Sequence, residues 1–185
     1  MTTYREDFLQ AVARTRAHQI PLNDVILTPT KRWLDTSAKL FKVAQAIEAA
    51  LAHLTTEALA AQCLAINREL EEPVSRSLGC EALLTLGWLD DGTEEGLYKF
   101  GDDHIKKLLD LNYTLGQESH HAWLTLPSME ILDVTYHTTG AVRSKNAPVG
   151  KYKYGAIIAT HADEHPEGLV YKPMIVGKGF LKGRK

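Results

Sequence analysis

The chain has 185 residues, 44% of them hydrophobic, which suits a single domain with a substantial core. A formal net charge of −2 and a pI near 6.4 provide no overall attraction to nucleic acid or to an anionic membrane. No apolar segment approaches the ~20 residues that cross a bilayer, and residues 1–7 lack signal-peptide features. We therefore expect a cytoplasmic protein with no nucleic-acid or membrane partner, although delivery by a dedicated secretion route would leave no mark here.

The first half of the chain has the apolar periodicity of helices. It predicts helices over 3–17, 35–53 and 56–71. The segment 19–30, rich in turn-forming residues, separates the first two, and Pro73 is expected to end the third.

The second half has the shorter apolar runs and the alternation that are typical of strands. Strands are predicted over 80–89, 121–126 and 130–135, with two further strands over 154–160 and 168–176. Because helices come first and strands later, we predict an α+β domain with a mainly antiparallel sheet.

Three polar segments interrupt or follow these strands. Residues 90–119 are interpreted as an insertion over the sheet edge and a candidate lid, with a short helix around 102–111. Residues 138–153 have the composition of a mobile loop, and 177–185 form a basic tail that we expect to be solvated.

The sequence contains neither internal repeats nor a long linker. We predict one domain over 1–185, composed of N-terminal helices (1–55), a core (56–176) and the tail (177–185).

Metal and disulfide sites are not predicted. Two cysteines cannot form a disulfide framework, and neither Cys63 nor Cys80 has the CxxC or CxxH spacing of a zinc site. His161 and His165 have a helical spacing, but they fall in a predicted loop. We predict no metal and no cofactor.

A histidine and an aspartate fall on two strands joined by a short turn. Alternation places His121 and Trp123 on one strand face, and the turn at Pro127 returns the chain so that Asp133 lies near His121. A carboxylate beside an imidazole fixes its tautomer and stabilises its charged form. The pair indicates either a catalytic acid–base group or a structural hydrogen bond.

Cys63 is the candidate nucleophile. On the predicted helix it shares the inward face with Ile66, and Asn67 follows one turn later. A thiol has a free pKa of about 8.5, so an adjacent imidazole is needed to generate the reactive thiolate. An inward cysteine can equally be an inert small hydrophobe. Cys80 is the alternative thiol, and His120 is the alternative imidazole, on the opposite strand face.

These motifs together resemble the papain-like and transglutaminase-like cysteine enzymes. The resemblance covers residues 63–135 and consists of Cys-x-x-x-Asn on a helix, an apolar strand ending Leu-Gly-Trp, then HAWL at 121–124 and LDVT at 132–135. It implies that Cys63, His121 and Asp133 are nucleophile, base and orienting acid. In that superfamily the cysteine lies at a helix N-terminus, whereas a helix over 56–71 would place Cys63 two turns inside.

The resemblance also implies the activity. It implies a cysteine-dependent acyl-transfer enzyme that forms a thioester with an amide substrate, as a peptidase, amidase, deamidase or transglutaminase-like enzyme with a protein or peptide substrate. Backbone N–H groups near Cys63 or the Gln62 amide would stabilise the oxyanion, with Asn67 and Trp123 in support. The alternative is a non-enzymatic protein-binding module on the same fold, with a structural pair of His121 and Asp133.

Overall fold

The computed structural model describes residues 2–110, 120–145, 154, 156–165 and 168–181. These residues form six α-helices and a five-stranded antiparallel sheet, so the α+β class is confirmed. In this part of the chain, each helix is too short or too polar to cross a bilayer.

The two N-terminal helices occupy their predicted ranges. Helix α1 spans Tyr4–Ala17 and α2 spans Ser37–Ala50. Thr3 and Glu6 form a capping box at the start of α1, and the Thr36 hydroxyl caps α2. These caps satisfy backbone N–H groups that the first turn of a helix leaves without partners.

The third predicted helix, over 56–71, is divided in two. Helix α3 (Thr56–Leu59) ends at once, and α4 (Cys63–Leu78) is a separate helix. Between them Ala61 has a φ of 57°, a left-handed conformation that interrupts the helical hydrogen bonds. Its N–H donates instead to the Thr139 hydroxyl at 3.0 Å. A contact from a distant segment therefore overrides the local helix propensity.

Helix α4 also runs further than predicted. It continues through Pro73 to Leu78, and the prediction that Pro73 ends it is wrong. A proline inside a helix removes one hydrogen bond. Leu70 and Val74, fully buried against the sheet, offset that loss. The helix ends at Gly79, whose φ of 71° suits a residue without a side chain.

The sheet has the strand order β4-β3-β2-β1-β5, and each neighbouring pair is antiparallel. The strands, all within or close to the predicted ranges, are β1 (Leu83–Asp90), β2 (His121–Thr125), β3 (Glu130–Asp133), β4 (Ile158–His161) and β5 (Val170–Val176).

Alternate residues of the strands supply an apolar layer on each face of the sheet. Ala122 and Leu124 belong to the layer that contains Leu70 of α4. Trp123 belongs to the other layer, with Phe8 of α1. The sheet is therefore covered on both faces, as expected for strands whose residues are nearly all buried.

The 90–119 segment contains the predicted short helix, α5, over Asp102–Leu109. Before it, Leu97 forms a bridge with Leu89 at the end of β1. Residues 111–119 lie outside the described residues, and a lid function remains a prediction.

The loop prediction over 138–153 is wrong for its first part. Helix α6 spans Tyr136–Arg143, with Thr138 and Thr139 buried on its inner side. Composition suggested a loop here because Thr and Gly are weak helix formers, but burial of one face stabilises the helix. Residues 146–153 lie outside the described part of the chain.

The tail prediction is wrong for Phe180 and Leu181. Both are buried in a short 3₁₀ turn over Gly179–Leu181. Residues 182–185 lie outside the described ranges.

Candidate active site

Cys63 is the first residue of α4 rather than an interior one. Gln62 occupies the N-cap position, and its side chain makes no capping hydrogen bond. The first backbone N–H of this helix that makes a helical hydrogen bond belongs to Ile66, and it donates to the Gln62 carbonyl. Over the described residues, the N–H groups of Cys63 and Leu64 therefore have no acceptor. The positive end of the helix dipole lies at Cys63, where it stabilises negative charge on the sulfur.

His121 and Asp133 are in direct contact. The His121 Nε2 and an oxygen of Asp133, Oδ2, are 2.5 Å apart. His121 begins β2 and Asp133 ends β3, and the register of the two strands places them on one face, diagonally across the ladder. His121 is 4% exposed and Asp133 1%. The pair is therefore shielded from water.

Asp133 receives hydrogen bonds on both carboxylate oxygens. Oδ2 also accepts from the Tyr171 hydroxyl at 2.9 Å. Oδ1 accepts from the Thr135 N–H at 2.9 Å, the Thr135 hydroxyl at 3.1 Å and the Tyr136 N–H at 3.1 Å. Burial raises the pKa of the Asp133 carboxyl, but the charge of His121 and these hydrogen bonds lower it below its ordinary value. The carboxylate is held ionised and in one orientation.

His121 carries a proton at neutral pH. Burial lowers its pKa, but the charge and hydrogen bond of Asp133, together with a hydrogen bond and electrostatic attraction to Cys63, outweigh burial and raise the pKa to about 10. Because Nε2 is engaged by Asp133, Nδ1 is the ring nitrogen left for the thiol.

Four aromatic rings enclose His121. Tyr98 and Trp123 lie nearly parallel to its ring, with centroids at 5.6 Å and 6.0 Å. Tyr136 and Tyr171 contact it at steeper angles. This enclosure lowers the local dielectric constant, which strengthens the electrostatic interaction of the imidazole with its neighbours.

Tyr98 is the outermost of these rings, on the segment before α5. Its φ of 62° is unusual for a bulky residue and stores backbone strain. Burial raises the pKa of its hydroxyl, and the charges of Cys63 and Asp133 raise it further. Tyr98 stacks on the His121 ring, and the charge of Arg143 opposes the rise in its pKa.

The three predicted supporting residues have different surroundings. The Asn67 amide donates to the carbonyls of Cys63 at 2.9 Å and Ala122 at 2.8 Å, which ties α4 to β2. The Trp123 indole N–H donates to the Tyr4 hydroxyl at 2.8 Å, which fixes the ring beside His121. Gln62 is half-buried next to Cys63. Asn67 and Trp123 thus hold the backbone and the ring in place.

The alternative thiol, Cys80, is affected by the charges of Lys31 and Glu130 and not by the pair of His121 and Asp133. Burial raises its pKa to about 11, an effect that Lys31 opposes and Glu130 reinforces. At neutral pH it is a protonated, unreactive thiol.

The alternative imidazole, His120, faces away from Asp133. Its Nδ1 lies 3.4 Å from Nε2 of His104. Burial, with the charges of His104 and His121, lowers its pKa to about 4. Its backbone carbonyl accepts from the Cys63 thiol at 3.8 Å, so His120 contributes a carbonyl rather than a ring to the group.

Sequence reasoning missed Tyr98, Tyr171 and Thr139. Tyr171 lies in a predicted strand, and its alternation could have placed it on the Trp123 face, but not beside Asp133. The positions of Tyr98 and Thr139 depend on segments without periodicity, so no sequence signal identified them.

A cavity of about 670 Å³ lies further along α4 and is not part of this group. It is lined by residues that include Leu22, Arg68, Glu71, Leu83 and Lys178, none of which contacts His121. Within the described ranges, no cluster of three or more His, Cys, Asp or Glu side chains could hold a metal ion.

Comparisons of the chain with family models, curated proteins and solved structures found no match.

Proposed function

We propose that this protein is a cysteine-dependent acyl-transfer enzyme that acts on an amide substrate through a thioester, with a core of the papain-like and transglutaminase-like type. One observation carries the proposal. Cys63 lies at the N-terminus of α4, close enough to His121 to raise the pKa of that ring, and Nε2 of His121 is paired with the buried Asp133. Each of the three is positioned by a different element, α4, β2 and β3.

The proposed reaction begins with the sulfur as a thiolate beside the imidazolium of His121. The thiolate attacks the amide carbonyl carbon, and the carbonyl π electrons move to oxygen. The N–H groups of Cys63 and Leu64 are in a position to stabilise that oxyanion, because they have no acceptor among the described residues.

Collapse of the tetrahedral intermediate breaks the C–N bond. His121 gives its proton to the leaving amine, and a thioester on Cys63 remains. The neutral imidazole then takes a proton from water or an acceptor amine as that nucleophile attacks the thioester. Collapse of this second tetrahedral intermediate breaks the C–S bond, so that the acyl product leaves and the Cys63 thiolate is restored beside the imidazolium. Water gives hydrolysis or deamidation, and an amine gives transglutamination. Asp133 holds the ring throughout and stabilises its charged form.

The proposed substrate is a protein or peptide. An amide of a peptide chain or of its side chain can reach the half-buried sulfur of Cys63 beside the aromatic rings around His121. No cofactor takes part in this scheme, since the charge at each step resides on Cys63, His121 and the substrate.

The test is intact-mass spectrometry after incubation with a panel of acyl donors: activated esters, peptide amides and glutamine-containing peptides. We expect one acyl adduct on the wild type and on Cys80→Ala, and none on Cys63→Ala. His121→Ala should retain the fold by circular dichroism and accumulate no adduct from the amides. Equal labelling of both cysteines, or loss of folding in His121→Ala with no adduct in the wild type, would favour the structural pair and a binding module.

A further inference from the structure

We infer that Tyr171 is a positioning residue of this site: its hydroxyl holds the Asp133 carboxylate in the orientation that receives the His121 ring. The inference rests on the proposed function, and it adds a fourth side chain to the three predicted from sequence.

The contact comes from a distant strand. Tyr171 lies on β5, whereas Asp133 lies on β3, and β2 and β1 separate these strands in the sheet. Tyr171 is fully buried, and its hydroxyl donates at 2.9 Å to Oδ2, the same oxygen that meets Nε2 of His121. Tyr171 is not needed to hold β3 in the sheet, because β3 already pairs with β2 on one edge and with β4 on the other.

Gly87 leaves room for this arrangement on the intervening strand β1. A side chain at Gly87 would come within 2.6 Å of the Trp123 ring and within 2.0 Å of the Lys172 carbonyl. The Trp123 and Tyr171 rings instead meet edge to face, with centroids 4.8 Å apart. The aromatic layer therefore extends from β5 to the His121 ring without a side chain from Gly87.

The hydrogen bond has a specific chemical effect. A carboxylate has about four acceptor sites, and here Oδ1 is occupied by Thr135 and Tyr136 while Oδ2 is shared by His121 and Tyr171. Donors on both oxygens fix the carboxylate plane and favour its charged form. Burial, followed by the charge of Asp133, raises the pKa of Tyr171 well above its ordinary value, so the phenol remains a donor at all working pH values.

Other titratable groups surround the pair on every side. They are Cys63 on α4, Tyr98 before α5, His121 on β2, Tyr136 and Arg143 on α6, Tyr4 on α1 and His165 after β4. Among these described side chains, the hydrogen bond to the Asp133 carboxylate comes from His121, and Tyr171 supplies the other donor to Oδ2.

The test compares Tyr171→Phe with Tyr154→Phe. The matched control is Tyr154→Phe rather than a change at Tyr4, which holds the Trp123 ring beside His121, because Tyr154 is buried in the opposite apolar layer and its hydroxyl donates to the Ala44 carbonyl. Two quantities are followed against pH: the NMR titration of the Asp133 carboxyl carbon, and the rate at which iodoacetamide alkylates Cys63.

In Tyr171→Phe we expect the Asp133 titration to move to higher pH, because a donor to the charged form is lost. The rates are compared at a pH between the Asp133 titration midpoints of the wild type and of the variant. There, Cys63 of the variant should be alkylated about tenfold more slowly, since a protonated Asp133 no longer stabilises the imidazolium. Tyr154→Phe should lower the melting temperature and leave both profiles unchanged.

An unshifted Asp133 titration in a folded Tyr171→Phe variant would overturn the inference. If that variant does not fold, the wild type decides: a slowly exchanging Tyr171 hydroxyl proton with a nuclear Overhauser effect to the His121 ring supports the inference, and its absence overturns it. The proposed function fails on a different result, namely wild-type Cys63 that alkylates no faster than Cys80. The Asp133 titration still tests Tyr171 in that case.

Discussion

Strand β3 carries a buried carboxylate at each end, and each carboxylate lies near a cysteine. Glu130 begins the strand in the region of Cys80, and Asp133 ends it in the region of Cys63. In the second region the His121 ring is paired with the carboxylate, and the cysteine is the first residue of a helix. Both regions have a buried carboxylate near a cysteine. Only the Asp133 region, among the described residues, also has an imidazole on the carboxylate and a helix N-terminus at the cysteine.

The carboxylate at the start of the strand has a purely architectural set of donors. Glu130 accepts from the backbone N–H groups of Trp33 at 2.7 Å and Leu34 at 3.0 Å, and from the Ser128 hydroxyl at 2.5 Å. It fixes the segment before α2 against the sheet. Its donors cannot exchange a proton with a substrate, and this limits Glu130 to stability.

The largest expected effect separates the two cysteines. Cys63→Ala should reduce acyl transfer to background, a loss of about four orders of magnitude or more, because the nucleophile is removed. Cys80→Ala should retain the wild-type rate. The measurement is initial rate with the best acyl donor of the panel, after both variants are shown to be folded. Loss of activity in Cys80→Ala alone would reverse the assignment of the two regions.

A second pair of variants separates the two carboxylates. Asp133→Asn should reduce the rate by roughly a hundredfold or more while some activity remains, because the ring loses its orientation but the sulfur is intact. Glu130→Gln should keep the rate per folded molecule and lower the free energy of unfolding by about 1–3 kcal/mol, through weakened bonds to buried donors. Urea denaturation and kinetics on the same samples distinguish these results. Equal kinetic losses would contradict the comparison.

The neighbouring histidines predict opposite effects of pH on stability. The pKa of His121 is raised from 6.5 to about 10, so its contribution is complete below pH 6.5 and is lost as pH rises toward 10. The pKa of His120 is lowered from 6.5 to about 4, so the unfolded chain takes up this proton first and stability falls as pH drops from 6.5 to 4.

Each histidine accounts for a slope of at most about 1.4 kcal/mol per pH unit in its window. Denaturant titrations from pH 4 to 10 should show that His121→Gln flattens the alkaline side and His120→Gln the acidic side. An alkaline slope unchanged in His121→Gln would mean that the ring is neutral in the folded protein.

The smallest expected effect concerns access to the sulfur. Tyr98→Ala should accelerate alkylation of Cys63 by about threefold to tenfold, because the ring that stacks on His121 is removed. Lys99→Ala is the control, since its ammonium group faces the Trp88 ring in the same segment. Alkylation rates that match the wild type in Tyr98→Ala would show that the ring does not limit access.

Much of the fold could be predicted from periodicity, and the reason is visible in particular elements. The spacing in α1 predicts burial on one face, and the alternation in β2 separates the residues of two apolar layers, as the structure shows. The pairing of His121 with Asp133 was also predictable, because a short turn fixes the register of two neighbouring strands.

What could not be predicted depends on contacts between distant segments. The break before Cys63 requires Thr139, and the orientation of Asp133 requires Tyr171, and neither partner is marked by local sequence. Pro73 led to the opposite error, a helix predicted to end too early. The local signal of the proline is overridden by burial of the inner face of α4. The helix start, which determines the electrostatics at Cys63, was therefore beyond the reach of sequence reasoning.

Helix α6 follows directly after Asp133, and its Thr139 hydroxyl accepts the N–H of Ala61 just before Cys63. Helix α6 thus connects the end of β3, which carries Asp133, to the turn just before Cys63, in addition to the contacts through the sheet. The spacing between acid and nucleophile therefore depends on the packing of α6 as well as on the sheet.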